Sequence, residues 1–325
     1  MKNRNASQPL PAADTAIHLE ISKALASWLG RLWHTRLAYV FLLPTFIFIV
    51  LFSYYPAASA LYHAFTAWDG ITTATWVGAQ NFQGLVTDPE FTISIANVAK
   101  LTAFQMVLAV TVPLTVARLI MGVSSPRWRF VYRLCFILPF VVPQVVLILV
   151  WQFIYAGTGA LNQILGTLHL ASLQQDWLGN PTLALYSVMA MGFPYVDGFG
   201  LMIYTAGLQA MPAELREAAA VDGASPLRTF FAVEIPQIHG QLRLMWVLAI
   251  INGIQNFTQI LILTQGGPGY STMVPGVVMY QYAFTNQQFG KASAIGTVLF
   301  VVTLALTILN LRLGRVRAQV RGLAR

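Results

Sequence analysis

Four amide side chains, Asn252, Gln255, Asn256 and Gln259, recur at i, i+3, i+4 and i+7 in an otherwise apolar stretch. On an unbroken helix that spacing puts them on one face. Amides both donate and accept hydrogen bonds, which suits a solute bearing mixed hydroxyls, such as a sugar. Facing hydrocarbon, each would be left unsatisfied at a cost of roughly 1–3 kcal/mol or more. The stripe must therefore line a wet pathway or act as polar glue between helices. Asp197 is the one acid deep in an apolar segment, and a carboxylate at a helix centre costs about 2.5–3.5 kcal/mol on insertion scales. It follows Gly192-Phe193-Pro194-Tyr195 and precedes Gly198, so a broken helix is expected there. Asp197 then serves either as a solute contact or as a structural hydrogen-bond acceptor. Gln144, Gln152 and Trp151 are further candidates, with Trp151 and Tyr155 able to stack on a sugar face or to sit at a membrane interface.

The elements that carry these groups are membrane helices. Of 325 residues, 57% are hydrophobic and 9% are charged, against about 25% charged in a soluble domain. Stretches of about 20 apolar residues are needed to cross the hydrocarbon. Six are found, at residues 37–58, 97–117, 131–155, 183–208, 244–264 and 292–311. The first is too long for a signal-peptide core, contains Pro44 and is expected to be retained. The expected fold is all-α: a six-helix bundle at 37–311 between a tail at 1–36 and a basic tail at 312–325. All of the 19 Lys and Arg except Lys100 and Lys291 fall in the tails or in the second-to-third and fourth-to-fifth connections. The positive-inside rule then places both termini in the cytoplasm. The +8 balance reads as topogenic, and no nucleic-acid partner is expected. Residues 15–33 carry Ile17, Ile21, Leu25, Trp28, Leu29 and Leu32 at helical spacing, a helix lying on the inner membrane surface or packed under the bundle.

The fourth-to-fifth connection, MPAELREAAAVDGASPLRTFFAVEIPQIHG (211–240), reads as a helix, a turn and a second helix. Pro212 suits a first helical position, and Glu214 and Glu217 favour the positive end of the helix dipole. Gly223, after Asp222, fits a left-handed C′ position. Ser225-Pro226 opens the second helix as N-cap and N1, and Pro236 is expected to stop it. Ala218, Ala219 and Ala220 leave a shallow face that another protein could approach.

This loop resembles the cytoplasmic signature of inner-membrane permeases of binding-protein-dependent ABC importers, carbohydrate (maltose and glycerol-phosphate) type. Glu217-Ala218-Ala219, Gly223 and the ending Val233-Glu234-Ile235-Pro236 carry the match. WVGAQNFQGL (76–85), RLCFILPFVVPQVV (133–146) and LTQGGPGYST (263–272) extend it over about residues 37–311. The resemblance implies a permease subunit in a bacterial inner membrane, a half-pathway for a sugar or oligosaccharide. Glu217, Ala218, Ala219, Asp222, Gly223 and Pro236 would couple it to a cytoplasmic ATPase dimer, which binds the ATP and Mg. It also implies a heterodimer with a second permease chain and an outer solute-binding protein docked on residues 61–96, 156–182 and 265–290. Asn256-Phe257 stands where the family places a polar pathway residue, whereas the family usually has an apolar or small residue near Asp197.

The chain itself lacks a P-loop, because Gly290-Lys291 is followed by Ala292 and has no upstream partner glycine. His18, His34, His63, His169 and His239 fall in loops or tails and Cys135 is alone, so neither a catalytic pair nor a metal set is expected within the spans. An ion-coupled secondary transporter is the alternative reading. It would call for more intramembrane ionisable groups and repeat symmetry than this sequence carries.

Overall fold

The structure, a computed structural model, describes residues 36–323. The helix expected at residues 15–33 lies outside them. The chain divides into two compact units, residues 1–59 and 60–325. The described part of the first is helical: α1 (Arg36–Ile49) holds Pro44 and widens into a π turn at Val50–Tyr54. An α segment, Tyr55–His63, follows it. From Leu37 to Tyr55 the apolar side chains are exposed, as a surface solvated by lipid tails requires.

The second unit starts with a two-residue antiparallel ladder, β1 (Thr66–Ala67) and β2 (Thr75–Trp76), with Thr66 opposite Trp76. Short α2 (Gln80–Thr87) leads to the 33-residue α3 (Pro89–Met121). Asp88 caps α3, its carboxylate accepting from Glu90 N at 2.9 Å, with Pro89 in the first turn and Gly122 at the far end. Then come α4 (Pro126–Ile137), α5 (Gln144–Tyr155) and α6 (Ala160–Thr167). Next are α7 (Ala184–Ala190), α8 (Gly198–Gln209) and the loop helices α9 (Ala213–Val221) and α10 (Pro226–Thr229). The chain ends with α11 (His239–Gln255), α12 (Thr258–Leu263), α13 (Pro275–Tyr280) and α14 (Phe289–Leu323).

Among the described residues four helical stretches are long and apolar enough to cross a membrane: Leu37–His63, Pro89–Met121, Gln144–Thr167 and Phe289–Arg312. The third carries a short interruption at 156–159. The stretches at 183–208 and 244–264 are helix pairs rather than continuous spans. Between α7 and α8, Gly192 (φ +93°) and Tyr195 (φ +60°) turn the chain out of the helix. Between α11 and α12, Asn256 takes an extended ψ of 100°. The span expected at 131–155 is likewise split, because Pro139 and Pro143 leave only a 3₁₀ turn at Leu138–Val141 between α4 and α5. The helix of the expected tail at 312–325 continues from α14 to Leu323.

Helix α3 is the spine, with α8 and α11 packed along it and α14 against α11. One apolar cluster gathers Ile148, Leu185, Ile260, Val277 and Ile295, and a second gathers Leu114, Ala117, Leu201, Tyr204 and Leu208. Close approach is set by small residues. A Cβ on Gly253 of α11 would lie 3.0 Å from Thr102 Cα on α3, and one on Gly290 would collide with the Thr66 carbonyl. Two of the stretches that carry the resemblance are fixed by buried side chains. Asn81 Nδ2 donates to the Ala64 and Thr66 carbonyls at 3.0 and 2.9 Å. Asn97 Nδ2 donates to Tyr270 O at 3.1 Å and Met273 O at 3.0 Å, holding the Gly-Gly-Pro-Gly turn against α3.

Candidate functional site: a polar cleft and the loop beneath it

A cleft of about 450 Å³ opens where the α7–α8 break faces α3. Its polar lining is Gln105, Gln144, Tyr195, Asp197 and Gln259, and Leu101, Phe104 and Pro113 supply apolar wall. A broken helix is tolerated at membrane depth where it lines such a cavity. Asp197 sits at the break with extended backbone and caps α8. Its Oδ2 accepts from Gly200 N at 2.8 Å and its Oδ1 from Phe199 N at 3.2 Å. The carboxylate is thus held by the orphan N–H groups and positive dipole end of α8 while bordering the cleft. The structural-acceptor role is present in the geometry, and the position of the carboxylate on the cleft wall keeps the solute-contact role open beside it. Gly200 permits the cap, since a Cβ there would meet Asp197 Oδ2 at 2.9 Å.

The four-amide stripe is not one face. The helix ends at Gln255, and Asn256 turns the chain before α12, so the i+7 relation no longer holds. Gln259 lines the cleft and donates to Val188 O at 3.2 Å. Asn256 Nδ2 reaches Gln259 Oε1 at 3.5 Å. Asn252 and Gln255 are exposed and outside the cleft. Gln144, the first residue of α5, does line it. Trp151 does not. It lies in a separate cleft of about 530 Å³ with Tyr155, Trp177, Tyr186 and Phe193, and Tyr195 borders both. Gln105 and Tyr195 were missed by the sequence reading. A lone glutamine inside an apolar span carries the same desolvation cost as the amides of α11, and that signal marks Gln105.

The loop at 211–240 folds largely as its residues dictate. Gly223 takes φ +71° after Asp222, and Ser225 Oγ accepts from Arg228 N at 3.3 Å with Pro226 in the first turn. Glu217, Ala218 and Asp222 are exposed, as are the apolar Val221, Leu227 and Phe231. Two expectations change. Ala219 is buried, so only Ala218 and Ala220 present the shallow face. Pro236 does not stop the second helix. The helical path continues through a π turn at Phe230–Glu234 into Ile235–Gln237 and ends one residue after Pro236.

That π turn buries Glu234 completely. Its Oε2 pairs with Arg118 Nε at 2.6 Å and its Oε1 with Arg216 Nε at 2.9 Å. Arg216 Nη2 also donates to Leu208 O at 2.8 Å, the last turn of α8. Arg118 and Arg216 are therefore more than topogenic charges. Removing one partner of a buried pair costs about 3–5 kcal/mol, and the partial exposure of both guanidiniums (30% and 31%) puts this case at or below the lower end. Arg243 joins α11 to α14 by donating to the Asn310 carbonyl at 2.8 Å and to the Leu311 carbonyl.

At the opposite end, Trp68 stacks on His63 at 3.8 Å between centroids. Asp69 accepts from Ile71 N and Thr72 N, which hold its carboxyl below the usual range. Tyr282 donates to Asp88 Oδ2 at 2.7 Å, and burial together with that bond pushes its hydroxyl up to about 12.

Comparison with known proteins places this architecture. A probable ABC transporter permease protein, YurN, of Bacillus subtilis is 32% identical over 276 residues, 84% of this chain and 94% of that one. The multiple sugar-binding transport system permease protein MsmF of Streptococcus mutans is 29% identical over 88% of this chain and 97% of its own. The crystal structure of a bacterial ABC transporter involved in import of the acidic polysaccharide alginate superposes with a TM-score of 0.79. It is 23% identical, with 89% of this chain and 98% of that one covered, and shows the same fold. Residues 119–317 match the family described as binding-protein-dependent transport system inner membrane component, and the chain belongs to that family.

Proposed function

We propose that this chain is a permease subunit of an ATP-driven sugar importer, lining half of a transmembrane pathway and working with a cytoplasmic ATPase dimer that binds ATP and Mg. The observation that carries the reading is the exposed loop at 211–240. It presents Glu217, Ala218 and Asp222 beside uncovered Val221 (87% exposed), Leu227 and Phe231, along α9, α10 and the π turn that follows. Small residues allow close approach, and the apolar side chains supply the buried centre that a stable protein contact needs. The solute class follows from the relatives, MsmF and the diacetylchitobiose uptake permease of Streptomyces coelicolor among them. A cleft of amides, a tyrosine and one carboxylate suits neutral hydroxyl-rich cargo. The charge distribution supports six crossings with both termini inside, two of them made by the helix pairs α7–α8 and α11–α12. The exposed faces of α5 and α11 leave room for a second, unlike permease chain, and a solute-binding protein docks on the outer loops.

Glu217→Lys tests the reading in liposomes holding the assembled complex, with binding protein and a panel of sugars. One sugar should stimulate hydrolysis by the parent, and the variant should lose that stimulation and uptake together. A variant that hydrolyses and transports as the parent does makes the loop an ordinary surface segment and removes the main support for the importer reading.

A further inference from the structure

Glu234 and its two arginines occupy a place that neither topogenic charge nor a docking surface accounts for. Charges that orient a chain need no buried acid beside them, and a docking residue must be accessible, whereas Glu234 is 0% exposed. Its two oxygens are divided between two elements. Arg118 belongs to the last turn of α3, the helix that lines the cleft about one to four turns earlier with Pro113, Ala109 and Gln105. Arg216 belongs to α9, immediately before Glu217, and also holds the Leu208 carbonyl. Leu208 lies in the last turn of α8, whose N-cap, Asp197, borders the same cleft.

We propose that Glu234 is a positioning residue whose carboxylate, through Arg118 and Arg216, joins the loop to the ends of both cleft-lining helices, so that displacement of α9 is delivered to the cleft. The inference rests on the importer reading above. Apolar side chains at a helix end can slide past one another, because dispersion contacts are non-directional. The hydrogen bond from Arg216 Nε to Glu234 is charge-assisted and directional, the 2.6 Å contact of Arg118 Nε with the same carboxylate is a close ion pair, and moving either arginine away leaves the buried carboxylate short of compensating charge. The three groups therefore hold α9, the π turn, α3 and α8 in one register while the rest of the bundle repacks. The π turn at Phe230–Glu234 is what aims the carboxylate inward, and such wide turns recur at working sites in helices. A rotation of α9 driven by the ATPase would thus reach Asp197 along α8 and Gln105 along α3, rather than being absorbed in the loop.

The test measures sugar transported per ATP hydrolysed in liposomes for the parent complex, Glu234→Gln and Arg216→Lys. Glu234→Gln keeps the shape and removes the charge, and should hydrolyse ATP while its transport per ATP falls at least tenfold. Arg216→Lys keeps the charge but lacks the fork that reaches both Glu234 and Leu208, and should fall severalfold. An unchanged ratio in both variants, with only a lower unfolding temperature, overturns the proposal and leaves the triad as a structural plug. If Glu234→Gln does not assemble, Arg216→Cys with Glu234→Cys in a Cys135→Ser background gives the same comparison within one preparation. Joining the thiols with a short bifunctional reagent should raise the ratio at least fivefold, and equal ratios before and after joining overturn the proposal. A parent complex without sugar-stimulated hydrolysis fails in a different arm, and that result sinks the importer reading itself.

Discussion

Replacing Asp197 separates two roles that coincide in one side chain. The carboxylate accepts from Gly200 N at 2.8 Å and from Phe199 N at 3.2 Å, and the same group borders the polar cleft. Asp197→Ala deletes the cap and leaves two N–H groups of α8 without an acceptor. N-cap deletions cost about 0.5–2 kcal/mol, and at membrane depth little water is available to take over, so about 1–2 kcal/mol is expected. Asp197→Asn retains an acceptor oxygen in the same place and should cost less than about 0.5 kcal/mol, since Asn and Asp rank alike as caps. Unfolding by SDS in mixed micelles measures both, and sugar uptake by the assembled complex is followed in parallel. If the carboxylate chiefly holds the broken helix, Asn should transport a neutral sugar within about twofold of the parent, and Ala should lose stability and uptake together. Near-complete loss of uptake by Asp197→Asn at parental stability would refute the reasoning, because the charge itself would then be what meets the solute.

Gly253→Ala forces a Cβ to within 3.0 Å of Thr102 Cα, a backbone atom that cannot rotate away. Overpacking of this kind costs about 1–3 kcal/mol, to be read from the SDS midpoint, and α3 and α11 should separate detectably. Gln259→Leu removes a cleft amide and its bond to Val188 O, and should lower uptake several-fold more than Asn252→Leu, whose side chain lies outside the cleft. Gly223→Val places a β-branched residue at φ +71° where a Cβ would meet nothing. The expected cost is therefore the left-handed backbone alone, about 1–2 kcal/mol, confined to the α9–α10 turn, with sugar-stimulated hydrolysis falling while the bundle's unfolding midpoint holds.

The helical, membrane-embedded class and most of the loop's local geometry are legible in the sequence, whereas the breaks that split three of the six expected spans are only partly so. Apolar length against the thickness of a bilayer marks the crossings, because no other solvent tolerates such stretches. Local rules at single residues write the loop: glycine at the left-handed Gly223, serine and proline at 225 and 226 to start a helix. The Gly-Phe-Pro-Tyr run likewise foretells the break before Asp197. What stayed hidden depends on which face meets which neighbour. The amide spacing at 252–259 implies one stripe only if the helix runs unbroken, and the turn at Asn256 cancels it. Ala219 and Trp151 have suitable residue types and are carried elsewhere by packing. Glu234 looked like an aliphatic signature's bystander and Arg118 and Arg216 like membrane-orienting charges. Arg118 and Glu234, more than a hundred positions apart, become partners only when α3 and the loop meet, and Arg216 joins them only because the π turn folds Glu234 back inside the loop.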